Sequence, residues 1–203
     1  MSGSLFIVAA PSGAGKTSLV NALVAEQASI ALSVSHTTRA ARTGEVNGKD
    51  YFFVSQETFT TMQGQGVFLE SATVFDHAYG TSADSVYEQL KKGIDVILEI
   101  DWQGAKQVRG NHPESTSIFI LPPSKQALEK RLRARAQDDD AVIARRMRDA
   151  ENEISHYIEF DYLIVNDDFD VALSELVAII SARRRSMTIQ KDLQAPLLKT
   201  LLA

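Results

Sequence analysis

The chain of 203 residues contains no cysteine, which excludes disulfides, thiolate metal sites and a cysteine nucleophile, and fits a reducing compartment. It also lacks a surplus of positive charge: Lys and Arg number 21 against 26 Asp and Glu, a formal net charge of −5. Nothing global therefore draws it to nucleic acid or to an anionic membrane, and any basic patch must be local. No apolar run is long enough to span a bilayer, and the short one near the N-terminus follows no basic leader, so no signal peptide is read there. The expectation is a cytoplasmic protein with neither a nucleic-acid nor a membrane partner. Four scattered histidines, His36, His77, His112 and His156, show no His-Glu-x-x-His or other metal spacing and read as structural or incidental. Internal repeats, low-complexity tracts and heptad runs are missing as well. What remains is an ordinary soluble composition, 44% hydrophobic, sufficient for one substantial core with small inserted subdomains.

Five apolar, β-branched runs read as strands: LFIVA near Leu5, IALSVS near Ile30, DVILEI near Asp95, SIFIL near Ser117 and YLIVN near Tyr162. Helical patterns between most of them predict a parallel five-stranded α/β core sheet with helices on both faces and ligands at the carboxyl ends of the strands. Core segments are expected at residues 1–35, 93–124 and 158–203. The long interval 36–92 holds KDYFFVS, GVFLESATVF and AYGTS, which predict an inserted mixed-β substrate lobe. Residues 125–157 read as two further helices. A last helix from about Asp168 places Leu173, Leu176, Val177 and Ile180 toward the core and ends near Arg183, Arg184 and Arg185, read as a solvated terminus. Beyond it, Pro196 is expected to interrupt any helix in a leucine-rich tail that docks either on the core or on another subunit, the second alternative making a homo-oligomer.

The stretch APSGAGKTS follows the first strand. Gly15, Lys16 and Thr17 match a phosphate-binding loop, although Ala10 stands where the pattern has its first glycine. Strand, loop and helix occur in the required order, and Pro11 stiffens the turn. Gly13 and Gly15 let backbone N–H groups approach phosphate oxygens, Lys16 reaches the β and γ phosphates, and the Thr17 hydroxyl suits Mg2+. Ser12, Gly13, Ala14, Gly15, Lys16, Thr17 and Ser18 are thus the candidate nucleoside triphosphate site.

A second anion site is indicated by SVSHTTRAARTGEVNGKDYFF, which gathers Ser35, Arg39, Arg42, Glu45 and Tyr51 after a strand. Guanidinium groups make planar, charge-assisted hydrogen bonds to a dianionic phosphate. With APSGAGKT, SVSHTTR, GEVNGKDYFF, FLE, YGT, EIDWQG, LPPS, RLRAR and VND in order, the chain closely resembles guanylate kinase of the nucleoside monophosphate kinase group over essentially its whole length.

The resemblance implies an ATP·Mg2+:GMP phosphotransferase of the P-loop class, with dGMP beside GMP as acceptor. It implies that Ser35 and Glu70 read guanine, that Arg39, Arg42, Tyr51 and Tyr79 hold the GMP phosphate, and that Thr81 adds a hydroxyl. Glu45 is grouped with them. An ionised Glu70 accepts from guanine N1–H and N2–H together, whereas adenine would face it with an acceptor, a mismatch worth as much as roughly 10⁴-fold. Glu99 and Asp101, two residues apart at a strand end, project to one side. The resemblance puts them at the GMP and metal-adjacent site, with Asp101 acting through Mg2+-bound water. The alternative on local sequence is a strand-to-helix transition with Asp101 as a helix N-cap.

From Lys125 to Asp149 the local net charge is +3, which suits either a lid closing on triphosphate or a plain solvated face. The resemblance makes this segment a helical lid and Arg131, Arg135 and Arg146 its transfer arginines. Ala134 and Ala136 stand where relatives often have glycine. Two other classes of function stay in view. Asp101 to Gly104 has the Asp-x-x-Gly pattern of GTPases, but no Asn-Lys-x-Asp motif accompanies it. Non-catalytic guanylate-kinase-like interaction modules typically lack a working phosphate loop, which this chain has. A monophosphate kinase for another base is opposed by Ser35 with Glu70.

Overall fold

The computed structural model describes residues 3–74, 76–135 and 140–203, without the side chains of residues 135, 140 and 141. Its centre is β1 (Leu5–Ala9), whose five residues are all buried because both faces of the strand are covered. Alternation along it sorts two cores. Phe6 and Val8 point to the face packed by α1 (Lys16–Glu26) and α7 (Phe169–Arg184), meeting Leu19, Leu23, Leu176 and Ile180. Leu5 and Ile7 point the other way, to Val86 of α3 (Ala83–Lys91) and to Ala105 and Val108 of α4 (Trp102–Asn111). Around β1 lie β2 (Ile30–Leu32), β7 (Asp95–Glu99), β8 (Thr116–Leu121) and β9 (Tyr162–Val165), in the order β2-β7-β1-β8-β9 with every pairing parallel. The chain passes from β7 over β1 to β8, so the strand order reverses at β1. A crevice therefore opens at the carboxyl ends of the strands, where ligands of such sheets gather.

A second, four-stranded sheet lies between β2 and β7 in sequence, in the order β4-β3-β6-β5, with β3 (His36–Thr37), β4 (Phe52–Phe53), β5 (Phe68–Val74) and β6 (His77–Ser82). It is mixed, since β3 runs parallel to β4 but antiparallel to β6. The sequence reading named no helix in this lobe, yet α2 (Gln56–Gly64) is there. Ser55 caps it by accepting from the Thr58 N–H, and Phe59 anchors it by stacking on Phe68 at 4.6 Å. Register slips by one residue between Phe68 and Glu70. This bulge lets the consecutive residues Leu69 and Glu70 both be buried, which strict alternation would forbid.

Helices α5 (Lys125–Arg135) and α6 (Asp140–Ser155) form a small hairpin of their own, closed by Leu128, Leu132, Ile143 and Ala150. At the far end of α6 the His156 ring stacks on Trp102 with centroids 3.6 Å apart and planes 6° from parallel.

One expectation for the C-terminal region needs correction. Arg183 and Arg184 are not a solvated terminus. Arg184 Nε donates to Asp95 Oδ2 at 2.6 Å and its Nη2 to Ser29, while Arg183 donates to the Glu114 carbonyl. Asp95 is 6% exposed and also accepts from the Ser4 N–H, so it requires that cation. Pro196 interrupts the tail as expected. It lies in the first turn of α9 (Ala195–Leu201), where a missing N–H costs nothing, and the break falls two residues before it at Gln194, after α8 (Met187–Leu193). Leu197, Leu198, Leu201 and Leu202 are exposed rather than docked on the core.

Candidate active site

β1 delivers the chain into a loop that α1 terminates. Gly15 is the N-cap of α1 at φ 95°, and Gly13 has φ 93°, left-handed conformations that a side chain would strain. A β-carbon on Gly15 would also collide with Asn166, whose Nδ2 donates to the Ala14 carbonyl at 2.7 Å. Arg131 of α5 reaches the same place, donating to the Ala14 and Asn166 carbonyls at 3.3 and 2.9 Å. The missing first glycine does not break the loop. Ala10 packs its methyl against the core, and the turn closes by the Ala14 N–H donating to the Pro11 carbonyl at 3.1 Å. Lys16 Nζ donates to the Ile100 carbonyl at 3.0 Å, and the Thr17 hydroxyl donates to Glu99. Ser18 is exposed on α1.

Opposite this loop the bulged strand β5 buries Glu70, 4% exposed, inside the second lobe. Thr81 donates to Glu70 Oε1 at 2.7 Å, and the hydroxyls of Ser35 and Thr81 are 3.0 Å apart. Since Thr81 has one hydroxyl hydrogen, Ser35 is the donor of that second bond. Burial pushes the Glu70 carboxyl up to about 7, helped by Asp101 and resisted by Thr81 and Lys16. Arg42, Tyr51 and Tyr79 face the same space, the two tyrosine rings edge to face at 5.9 Å. Burial raises the Tyr51 phenol to about 12, so it stays a hydrogen-bond donor.

Lys16, Thr17, Ser35, Arg42, Tyr51, Glu70, Tyr79, Glu99 and Asp101 line one cleft of about 230 Å3, together with Ser12, Gly13 and Gly15. Outside this lining are Ala14, Ser18, Arg39, Glu45, Thr81, Arg131 and Arg146. Glu45 is engaged elsewhere: Arg39 donates to both its oxygens at 3.0 and 2.7 Å, and the Arg42 N–H donates to it at 2.7 Å. The Arg39 bond holds its carboxyl below the usual range, so it orients both arginines as an anion. The N-cap reading of Asp101 holds. The side chain caps α4 by accepting from the Gly104 N–H at 2.9 Å and still faces the cleft. That cap also accounts for the Asp-x-x-Gly pattern without a GTPase. Arg146 is half-buried on α6, and the side chain of Arg135, like residue Ala136, lies outside the described residues.

Two residues escaped the sequence reading. Asn166 sat inside the VND stretch, where its position directly after an apolar strand was the available signal. Glu153 gave none: it lies on a polar helix, and its carboxylate accepts from the Ser12 N–H, 141 positions away, at 2.9 Å. It lines the cleft, and burial raises its pKa. A larger hollow of about 1090 Å3 lies at the amino ends of the strands, but the Arg184 guanidinium on its wall is already paired with Asp95. Chemistry rather than volume distinguishes the site.

Hard oxygen donors lie together in the cleft: the Thr17 hydroxyl on Glu99, with Asp101 on the same lining. Among the described residues no three His, Asp or Glu side chains form a ready metal cage. Such a set fits Mg2+, which takes one or two protein oxygens and completes its shell with substrate phosphates.

The family model described as guanylate kinase matches residues 2–183. The guanylate kinase of Nitrosococcus oceani is 64% identical over 184 residues, 91% of each chain, and that of Salmonella typhimurium is 56% identical over 203 residues, 99% of this chain and 98% of its own. A crystal structure of guanylate kinase from Anaplasma phagocytophilum superposes with a TM-score of 0.77 at 34% identity, covering 92% of this chain and 88% of that one. The glycine loop after β1 and the buried Glu70 line a single cleft, and with likeness of this extent the chain belongs to the guanylate kinase family.

Proposed function

We propose a division of labour between the two sides of the cleft for the reaction of this family. The chain carries out ATP-dependent phosphorylation of GMP to GDP, as its family and its full-length identities support. The observation that carries the residue-level reading is that Lys16 and Glu70 face one cleft and influence each other electrostatically. The loop from Ser12 to Ser18 holds ATP, with Lys16 on its β and γ phosphates. Ser35, Glu70 and Thr81 read guanine, while Arg42, Tyr51, Tyr79 and Arg39, the last braced by Glu45, hold the GMP phosphate. An oxygen of that phosphate attacks the γ-phosphorus as the bond to the β-bridging oxygen breaks, and its electrons leave on ADP. GMP arrives ionised, so no general base is needed, and alignment and charge stabilisation supply the rate. Arg131, Arg135 and Arg146 steady the transferring group from residues 125–157, which act as the lid over core segments 1–35, 93–124 and 158–203 and the GMP lobe 36–92. Thr17, with Glu99 and Asp101, would hold Mg2+, which supplies charge neutralisation between the phosphates when bound. The same pocket accepts dGMP, since nothing in the proposed guanine reading depends on the 2′-hydroxyl.

Among the described residues no helix is long and apolar enough to cross a membrane, and we place the protein in the cytoplasm. We also place self-association on the exposed leucines of α9; light scattering that shows only monomer for the full chain and for a truncation after Ser186 would remove it.

The test is ADP formation from ATP·Mg2+ with GMP, AMP, UMP, CMP and dTMP offered separately. Turnover with GMP alone, abolished in Lys16→Ala, is expected; turnover with AMP at a comparable rate would overturn the role of Glu70.

A further inference from the structure

The triphosphate side of the cleft contains a carboxylate with no place in the reaction described above. Glu153 projects from α6 and accepts the N–H of Ser12, and its neighbours are Lys16, which favours its charge, and Asp101 and Asp149, which oppose it. A half-buried carboxylate is an expensive group to keep beside a pocket for polyphosphate, because desolvation and like charge both act against it. Its bond falls at a particular place in the loop. Pro11 has no N–H, so Ser12 offers the first N–H of the loop beyond Ala10. That donor is not satisfied by the loop's own turn, which is closed by Ala14 on Pro11.

The same end of α6 is fixed a second time. Three residues beyond Glu153, His156 stacks on Trp102, the neighbour of Asp101. Helix α6 is thus tied at one point to the phosphate loop and at another to the start of α4. Arg146 lies seven residues earlier on the same helix, roughly 10 Å along its axis. Where that arginine stands relative to the loop depends on how the root of α6 is held.

We propose that Glu153 is a positioning residue for phosphoryl transfer: by accepting the Ser12 N–H it fixes the loop's entry turn and keeps the lid helix in one relation to it. This rests on the ATP:GMP reading for its kinetic consequences, but not for its effect on the loop. The essential property is an acceptor atom at the right reach, and the charge is secondary.

Two conservative variants separate these properties. Glu153→Gln keeps the reach and an acceptor oxygen but loses the charge, whereas Glu153→Asp keeps the charge and withdraws the acceptor by one methylene. Glu153→Gln is expected to stay within about threefold of the parent in kcat and in KM for ATP. Glu153→Asp and Glu153→Ala are expected to lose about 10- to 100-fold in kcat/KM for ATP, the scale of a misplacement near 1 Å. GMP affinity, titrated calorimetrically without ATP, should stay within about twofold in all three. Binding of ADP·Mg2+, measured the same way, should weaken about tenfold in the Asp and Ala variants but not in Gln. The last readout needs no turnover, so it reports on the loop even if GMP proves not to be the acceptor, a failure that the parent enzyme alone would reveal. The proposal is overturned if Gln is as impaired as Ala, if Asp matches the parent, or if the Asp and Ala variants lose only melting temperature while ADP affinity and kinetics at 25 °C are unchanged.

Discussion

The carboxylate of Glu70 lies against the bare Cα of Gly104, where a β-carbon would stand 2.5 Å from Oε2. Gly104 is inside α4, so alanine there favours the helix by up to about 1 kcal/mol while forcing Glu70 aside. Gly104→Ala should therefore leave a folded enzyme whose KM for GMP rises about tenfold or more, with KM for ATP within about twofold, because a charge-assisted hydrogen bond is worth about 1.5–3 kcal/mol. Steady-state kinetics with each substrate varied in turn decides it. An unchanged KM for GMP would remove Glu70 from the guanine site.

Glu70 also sets a pH dependence. With its carboxyl raised to about 7 by burial, it is protonated below neutrality and presents one acceptor too few to guanine. The kcat/KM for GMP should climb as pH rises through about 7 and level off above it. Glu70→Gln should abolish the climb along with most of the activity.

The stability of the fold runs in the opposite direction. The folded state binds a proton at Glu70 that the unfolded chain, near its ordinary value of 4.5, has already lost. Between those two values stability falls as pH rises, by a total on the order of 3 kcal/mol from this group. Glu70→Gln should consequently melt higher than the parent at pH 8, with a much smaller difference at pH 4.5. Equal melting temperatures at pH 8 would show that the burial penalty is compensated elsewhere.

At the other end of the sheet, Arg184→Ala leaves Asp95 buried and without its cation. The expected loss is about 3 kcal/mol, or roughly 6–12 °C in melting temperature for a chain of this size. KM values should be unaffected, since the active cleft lies at the opposite ends of the strands. Calorimetric melting together with kinetics at 25 °C checks both halves.

On the donor side, Asn166→Ala removes the bond from Nδ2 to the Ala14 carbonyl and leaves only the long Arg131 contact there. KM for ATP should rise about 3- to 10-fold, in keeping with about 1 kcal/mol for a neutral hydrogen bond. The GMP side should be untouched. A shift in KM for both substrates would instead indicate a general loosening of the core.

How far the sequence carried depended on whether a signal was local. The central strands β1, β7 and β8 announced themselves as apolar runs because both their faces are covered, the edge strands β2 and β9 kept such a run while being more exposed, and the phosphate loop lies within nine residues of the first of them. The inserted lobe was harder. Helix α2 is made of QETFTTMQG, whose three threonines and glycine weaken it, and is held by the Ser55 cap and the burial of Phe59, neither visible as periodicity. The bulge that turns Glu70 inward is set by pairing with β6 and leaves no mark on the strand itself. The Arg183 to Arg185 run resembled a helix end facing water because its partner, Asp95, belongs to a distant strand. Glu153 escaped for the same reason, whereas Glu45 was noticed, but not that its carboxylate would be engaged by Arg39 and the Arg42 N–H.

The indole of Trp102 is the single tryptophan of the chain, and its face is covered by the imidazole at the root of α6. Tryptophan emission therefore comes from one place only, the joint between α6 and α4. Any rearrangement that slides α6 away from α4 uncovers that ring and alters its colour and brightness. The enzyme thus carries an intrinsic optical gauge of where α6 stands, readable by stopped flow with native protein and unlabelled nucleotides.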